Sequence, residues 1–248
     1  MNEYTKELTK LINKIAYRHT PREVFSDFIE LSALSVSNSV DPAPYEEREK
    51  QYLSLIKKYD PARQKLFPEA FALLVESLEH EAAAGTPSDI LGPLFMDLGC
   101  GDKGQFFTPQ HVCAMMGKMV LSENDKIIIE NGFITVSEPC CGAGAMVLGF
   151  AQAMQENGYD YNRQMVVTAI DTDIWCIHMC YLQLSLYGIP AVVVHGDSLT
   201  RKEWSHWYTP LYVVHGWQWK TQRNNAASVP QDMAQIYEQL NLFEENIT

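Results

Sequence analysis

Apolar positions recur every three to four residues through the first hundred positions, then give way to short unbroken apolar runs. Tyr4, Leu8, Leu11, Ile12 and Ile15 share one helical face. Thr20-Pro21-Arg22-Glu23 combines an N-cap hydroxyl, a proline at the first helical position and a reciprocal glutamate, and Phe25, Phe28, Ile29 and Leu31 follow. A break at 37–44, "SNSVDPAP", precedes a helix expected over roughly 45–59. Pro61 opens another, through Phe71, Leu74, Val75 and Leu78, which stops before Gly85. Thr86-Pro87-Ser88-Asp89 is the next start signal. Leu91, Leu94, Phe95 and Leu98 keep helical spacing, and Gly99 stands where a helix takes a left-handed terminator. Met115, Met116 and Met119 read as a packed helix face.

From residue 133 the period changes. The segments 133–139, 164–171 and 191–197 are short and β-branched, and apolar helices at 145–158 and 174–188 separate them. A fourth strand is expected at 211–217, "LYVVHGW". Strands alternating with helices imply a parallel sheet with right-handed crossovers. Beyond about Lys220 the chain turns polar, and a last helix is expected from Pro230. The expected division is a helical domain at 1–98, an α/β domain at 99–220, and a polar linker with a C-terminal helix at 221–248.

Composition narrows the class. With 248 residues, 46% apolar and 20% charged, the chain can hold one good core and a smaller accessory unit. No run approaches the roughly 18 apolar residues that span a bilayer. The start, "MNEYTKELTK", lacks a basic segment ahead of an apolar one, so no membrane partner is expected and the expected location is cytoplasmic. A net charge of −12 argues against a nonspecific nucleic-acid coat but leaves room for local basic patches. One is the stripe Lys6, Lys10, Lys14 and Arg18; another is Arg201, Lys202, Lys220 and Arg223. Six cysteines without CxxC spacing read as reduced thiols. Cys176 and Cys180 share a helix face while His178 points elsewhere, so they read as core and no metal is expected.

Two glycine-rich stretches compete as a ligand loop: "DLGCG" at 97–101 and "EPCCGAG" at 138–144. The first leaves an amphipathic helix and reads as a helix end. The second leaves a strand and opens a helix, an arrangement that turns backbone N–H groups and a helix N-terminus toward a ligand. Gly142 and Gly144 let the backbone approach that ligand closely. Glu138 ends the first strand and could accept from an ammonium group. Asp171 ends the second, where an acid can hold ribose hydroxyls. Asp197 ends the third, where a carboxylate can take an adenine amine. Together they favour a nucleoside cofactor.

On these residues the sequence resembles, over roughly 88–217, the N-6 adenine DNA methyltransferases of type I restriction–modification systems, especially short versions carried by mobile elements. The resemblance implies an α/β fold: a Rossmann-like S-adenosylmethionine-dependent methyltransferase sheet, truncated, behind an N-terminal helical domain. It implies S-adenosylmethionine as cofactor and DNA as partner. "GQFFTP" (104–109) looks like the family segment before a helix that meets the methionine end of the cofactor, which adds Phe107, Thr108 and Pro109 to the site. Thr108 is also suited to cap that helix with Pro109 at its first position. "EPCCGAGAM" looks like the family's "DPxCGxGxF" loop, with Glu138 for the aspartate, and places Cys140, Gly142 and Gly144 on the cofactor. "AIDTDI" and "HGDSL" resemble the motifs that carry Asp171 and Asp197.

The chain departs from the family where the acceptor amine is held. Those enzymes use Asn/Asp-Pro-Pro-Phe/Tyr after the fourth strand to grip an exocyclic amine and stack on a flipped base. No such tetrapeptide occurs in this sequence; His215-Gly216-Trp217-Gln218-Trp219 stands in its place. His215 or Gln218 could accept from an amine and Trp217 or Trp219 could stack, so His215 and Trp217 are the candidate catalytic residues. The aromatic segment 203–219 suits a sheet edge or an interface equally well. Three readings stay open: an N6-adenine DNA methyltransferase-like enzyme, an inactive cofactor-binding, DNA-binding or docking module, and a methyltransferase that acts on RNA or protein. Finally, "QLNLF" from Gln239 to Phe243 is similar to the peptide by which bacterial proteins dock on the DNA polymerase sliding clamp, which makes that clamp a candidate partner.

Overall fold

A computed structural model of the protein describes residues 1–100 and 107–220. Met1–Val214 form one compact unit, and a second begins at His215. Six helices come first: α1 (Glu3–Ile15), α2 (Pro21–Asn38), α3 (Tyr45–Ile56), α4 (Pro61–Gln64), α5 (Leu66–Ala83) and α6 (Leu91–Asp97). The long α7 (Gln110–Asn131) leads into β1 (Ile134–Glu138), α8 (Ala145–Glu156), α9 (Tyr161–Gln164) and β2 (Met165–Asp171). The rest is α10 (Ile174–Leu186), β3 (Ala191–Asp197), β4 (Lys202–Tyr208) and α11 (Pro210–Val214).

The helix starts follow local chemistry. Asn2 caps α1 by accepting from the Thr5 amide, and Thr20 and Glu23 form the reciprocal box that starts α2. Leu8, Ile12 and Ile15 are buried, and α1 lies along α5. Residues 97–100 of "DLGCG" are a helix end, as the spacing indicates. Gly99 has φ +68°, its N–H donates to Met96, and the Cys100 N–H reaches back to Phe95, which closes α6 in a two-bond terminator.

The sheet order is β1-β2-β3-β4, with the first three strands parallel. Val136 sits opposite Val167, and Asp171 opposite His195. One face, with Met165, Val167, Ala169, Ala191 and Val193, is wholly buried. There α10 packs on β2 and β3, and α2 packs outside α10. Thr135, Ser137 and Thr168 point to the other face and are exposed. Buried Arg48 ties the helical layer to the last strand: it donates to Ser37 and to the His206 carbonyl (2.8 Å), and its guanidinium lies 3.9 Å from the Trp207 ring centroid.

Two expectations need correction. The segment expected as a fourth strand at 211–217 contains helix α11, and the fourth strand is β4 at 202–208, antiparallel to β3. Thr209 and Pro210 are a helix start, with the Thr209 carbonyl accepting from Tyr212 and Val213, so the β-branched pair Val213-Val214 does not make a strand. Met115, Met116 and Met119 are 55%, 41% and 60% exposed rather than packed. Helix α7 instead buries Cys113, Gly117, Leu121 and Ile128. Gly117 and Gly149 bring α7 and α8 into backbone contact; a Cβ on Gly117 would sit 2.5 Å from the Gly149 carbonyl oxygen.

On α10, Cys176, His178 and Cys180 are all buried. His178 stands edge-on to Trp207 with centroids 4.8 Å apart, and burial drives its pKa down to about 3. Among the described residues no group of three or more His, Cys, Asp or Glu side chains is placed to hold a metal. Nor, among them, is any helix long and apolar enough to cross a membrane. The expected helix from Pro230 and the 239–243 peptide lie outside the described residues.

Candidate functional site

The carboxyl ends of β1 and β2 lie side by side, because Glu138 is in register with Ala169, two residues before Asp171. The turn after β1 runs beneath them. Its backbone is held at nearly every position: the Cys140 N–H donates to Glu138 Oε1 (3.1 Å) and the Cys141 N–H to the Ile170 carbonyl (2.8 Å). The Gly142 N–H donates to Asp171 Oδ2 (2.9 Å) and the Gly144 N–H back to Cys141 (2.8 Å). Gly142 and Gly144 have φ of +52° and +99°, a region that side chains disfavour. Gly144 then starts α8 with no side chain capping its first-turn amides. Those N–H groups and the helix dipole form a ready anion site.

The two acids differ in state. The second Asp171 oxygen accepts from the Asp173 amide (3.0 Å), so backbone on both sides fixes this carboxylate. Glu138 is half-buried, and burial raises its pKa above the ordinary carboxylate value against the pull of the Cys140 N–H; the Asp171 charge pushes the same way. Among the described residues no cation pairs with either acid. Of the two thiols nearby, one is packed and one is open. Cys141 is buried, and its pKa is raised by a hydrogen bond with Cys180 and by burial. Cys140 is exposed at the turn, and its thiol too is raised by desolvation.

Phe107 joins this turn: a Cβ on Gly142 would lie 3.1 Å from its ring. The ring also meets Phe95 of α6 edge-on, with centroids 6.0 Å apart. Thr108 and Pro109 follow as exposed residues. The expected Thr108 cap is not formed. Pro109 occupies the cap position of α7, its carbonyl accepting from Cys113, and no side-chain cap bond is made. A groove of about 310 Å³ runs along the outer edge of β1 between α7 and α8, lined by Met116, Val120, Val136 and Phe150, with Glu138 also in its wall.

Asp197 ends β3 in another setting. The chain reverses at once into β4, and Asp197 Oδ1 accepts from the Leu199 (2.9 Å) and Thr200 (3.3 Å) amides. The Thr200 hydroxyl and these amides lower its pKa. A family model described as N-6 DNA Methylase matches residues 95–240, more than half of the chain. The chain belongs to the N-6 DNA methylase family. The family match takes in Phe107, the 138–144 turn and all three strand-end acids. No curated protein matches the chain. A crystal structure titled as a class I S-adenosylmethionine-dependent methyltransferase from Listeria monocytogenes is similar at 13% identity and a TM-score of 0.38. The similarity covers 80% of this chain and 55% of that one, so the chain spans just over half of that protein's length.

Three residues beside the family site escaped the sequence reading. His195, opposite Asp171, brings its Nε2 to 3.2 Å from the Thr172 carbonyl oxygen. The ring of Trp204, 46% exposed, stands 4.6 Å from the His195 ring. For His195 the signal was alternation, since two-residue spacing puts 195 and 197 on one side of β3; Trp204 is left unpaired at the register shift of β4, which alternation does not foresee. Gln183 lies beneath the turn, in the last turn of α10, and carried no signal beyond a polar residue in an apolar helix. The candidate catalytic residues fall in the second unit. His215 is half-buried, and Trp217 is 2% exposed with the Lys220 ammonium 5.0 Å from its ring centroid. Trp219 is 40% exposed.

Proposed function

We propose that this protein binds S-adenosylmethionine at the carboxyl ends of β1 and β2 and methylates the exocyclic N6 amine of adenine in DNA. The observation that carries the reading is the Glu138–Gly144 turn bound to Asp171 through the Gly142 amide. Two acids with no cation paired to them among the described residues, a positive-φ turn that keeps side chains out, and an uncapped helix start fit this donor's chemistry. Its ammonium and sulfonium suit Glu138 and Asp171, and its carboxylate suits the first-turn amides of α8. A carboxylate has about four acceptor sites, so Asp171 retains capacity for ribose hydroxyls beside its two backbone bonds. The exposed ring of Trp204, with His195 edge-on beside it, offers an aromatic face for a purine.

When bound, S-adenosylmethionine supplies an electrophilic methyl group on sulfur. The chain's own contribution is alignment: it holds the donor's ends rigidly and keeps its methyl on a defined line. Titration calorimetry tests the premise. Saturable binding of S-adenosylmethionine and of its demethylated product is expected, and no affinity for either overturns the reading. Transfer of labelled methyl to unmodified DNA, lost in Asp171→Ala, tests the reaction.

A second reading is favoured by one observation, the lack of any Asn/Asp-Pro-Pro-Phe/Tyr tetrapeptide in the chain. On that reading the protein binds donor and DNA without turnover of its own, and donor binding without transfer across several DNA substrates is its signature. Under either reading we propose that Gln239–Phe243 docks on the sliding clamp. Deletion of 239–248 should abolish co-elution with the clamp, and unchanged co-elution rules the docking out.

A further inference from the structure

Gln183 is wholly buried, yet it uses every hydrogen-bonding site of its amide. Its Oε1 accepts from the Ile90 (2.7 Å) and Leu91 (3.2 Å) N–H groups at the start of α6. Its Nε2 donates to Asp89 Oδ1 (2.9 Å) and to the Ala143 carbonyl (2.7 Å). Two donors and two lone pairs are the full inventory of a glutamine amide. The orientation is therefore fixed by the network: a flipped amide would set oxygen against a carboxylate and a carbonyl, and N–H against N–H.

Each partner is itself tied down. Asp89 Oδ1 also accepts from the Gly92 amide (2.8 Å), and its own N–H donates to Gln110, the first residue of α7. Gly92 leaves room for that carboxylate, which a Cβ there would strike. Ala143 lies between the two positive-φ glycines of the turn. The peptide that joins it to Gly144 is gripped at both ends, the carbonyl by Gln183 and the N–H by Cys141. One buried side chain thus links the turn after β1 to the start of α6 and, through Asp89, to the start of α7.

We propose that Gln183 is a positioning residue for the methyl-donor site, setting the plane of the Ala143–Gly144 peptide and with it the direction of the first-turn amides of α8. Its effect on affinity rests on the donor-binding reading above; its effect on the turn does not. A control lies one turn along the same helix. The Tyr187 hydroxyl accepts from the Ser88 N–H (3.1 Å) and donates to the Ser88 carbonyl (2.9 Å). It braces the same 86–89 segment, and no hydrogen bond joins it to the glycine turn.

The test compares Gln183→Glu with Tyr187→Phe in the full-length protein. The glutamate keeps the shape but sets oxygen against Asp89 and Ala143. In the ligand-free protein, amide hydrogen exchange across 140–147 should rise at least tenfold in Gln183→Glu and stay within twofold of wild type in Tyr187→Phe. By calorimetry, S-adenosylmethionine should bind Gln183→Glu at least thirtyfold more weakly and Tyr187→Phe within threefold. Thermal melting matches the two for stability. Unchanged exchange in the turn overturns the proposal whatever the donor does. So does an affinity loss no greater than that of a Tyr187→Phe protein of equal melting temperature. A wild-type protein that ignores the donor, with faster exchange in Gln183→Glu, fails the donor-site reading and keeps Gln183 as the anchor of the turn. Should the glutamate not fold, Gln183→Met keeps the volume, removes all four bonds and takes the same two readouts.

Discussion

Asp171 and Asp197 each end a parallel strand of one sheet, yet the chain uses them differently. After β2 it crosses over through α10, and Asp171 stays at the sheet edge, bridging the turn after β1 to the start of the next segment. After β3 it reverses through a four-residue loop into β4, and Asp197 spends its oxygen on the amides of that loop. Sequence position makes them equivalent; topology does not. A crossover leaves the space above a strand end open for a ligand, whereas a tight hairpin fills it with its own backbone.

The largest effect expected from that difference is on donor affinity. Asp171→Ala removes a carboxylate that charge-assisted bonds of about 1.5–3 kcal/mol each would use, so roughly a hundredfold loss of S-adenosylmethionine affinity is expected. Calorimetry reads it directly. A loss below threefold would place the ribose contact elsewhere and remove the distinction between the two acids.

Next in size is a change in the turn itself. Gly144 has φ +99°, and a Cβ there would lie 3.2 Å from Cys180 Sγ. Gly144→Ala should cost about 1–3 kcal/mol from backbone strain alone. Urea unfolding measures this, and the equivalent cost is not expected at the exposed hairpin residue Leu199, where Leu199→Ala should be neutral.

The contrast between crossover and hairpin also explains what was legible in the sequence. The capping box at Thr20, the terminator at Gly99 and the strand–turn–helix at 134–156 are local, because residues within about six positions decide them. All three could be read directly. The β3–β4 hairpin was missed because Asp197 reads both as a ligand acid and as a turn acid, and because Val213 and Val214 resemble a strand behind the proline that starts α11. The exposed methionines of α7 were misread for a different reason. Periodicity locates an apolar stripe, but the glycine contact with α8 decides which stripe is buried. Gln183 lay beyond sequence reading altogether, since its partners are 40 to 94 positions away.

A smaller effect separates Glu138 from Asp197 by pH. Burial raises the Glu138 pKa in the folded protein, so the folded state binds its proton more tightly than the unfolded chain does. Its stabilising contribution is full below the ordinary carboxylate value and is lost as pH rises through the raised one. Glu138→Gln keeps an acceptor for the Cys140 amide and removes the charge. The variant should melt higher than wild type at neutral pH, and the gap should close on acidification below the ordinary carboxylate range. A melting curve whose gap does not move with pH would mean that Glu138 is not held in a desolvated position.

The smallest effect belongs to Asp197, and it tests the comparison most sharply. The Thr200 hydroxyl and the Leu199 and Thr200 amides lower its pKa, so its contribution is present above the ordinary carboxylate value and fades as pH falls through the lowered one. Asp197→Ala should therefore speed amide exchange at Leu199 and Thr200 near neutral pH. It should leave S-adenosylmethionine affinity within twofold of wild type, because the side chain serves the hairpin and not the ligand. A tenfold loss of affinity would show that the hairpin acid reaches the donor's adenine, as the family resemblance implies. The space above β3 would then be shared between turn and ligand, and strand-end position would outweigh the connection that follows it.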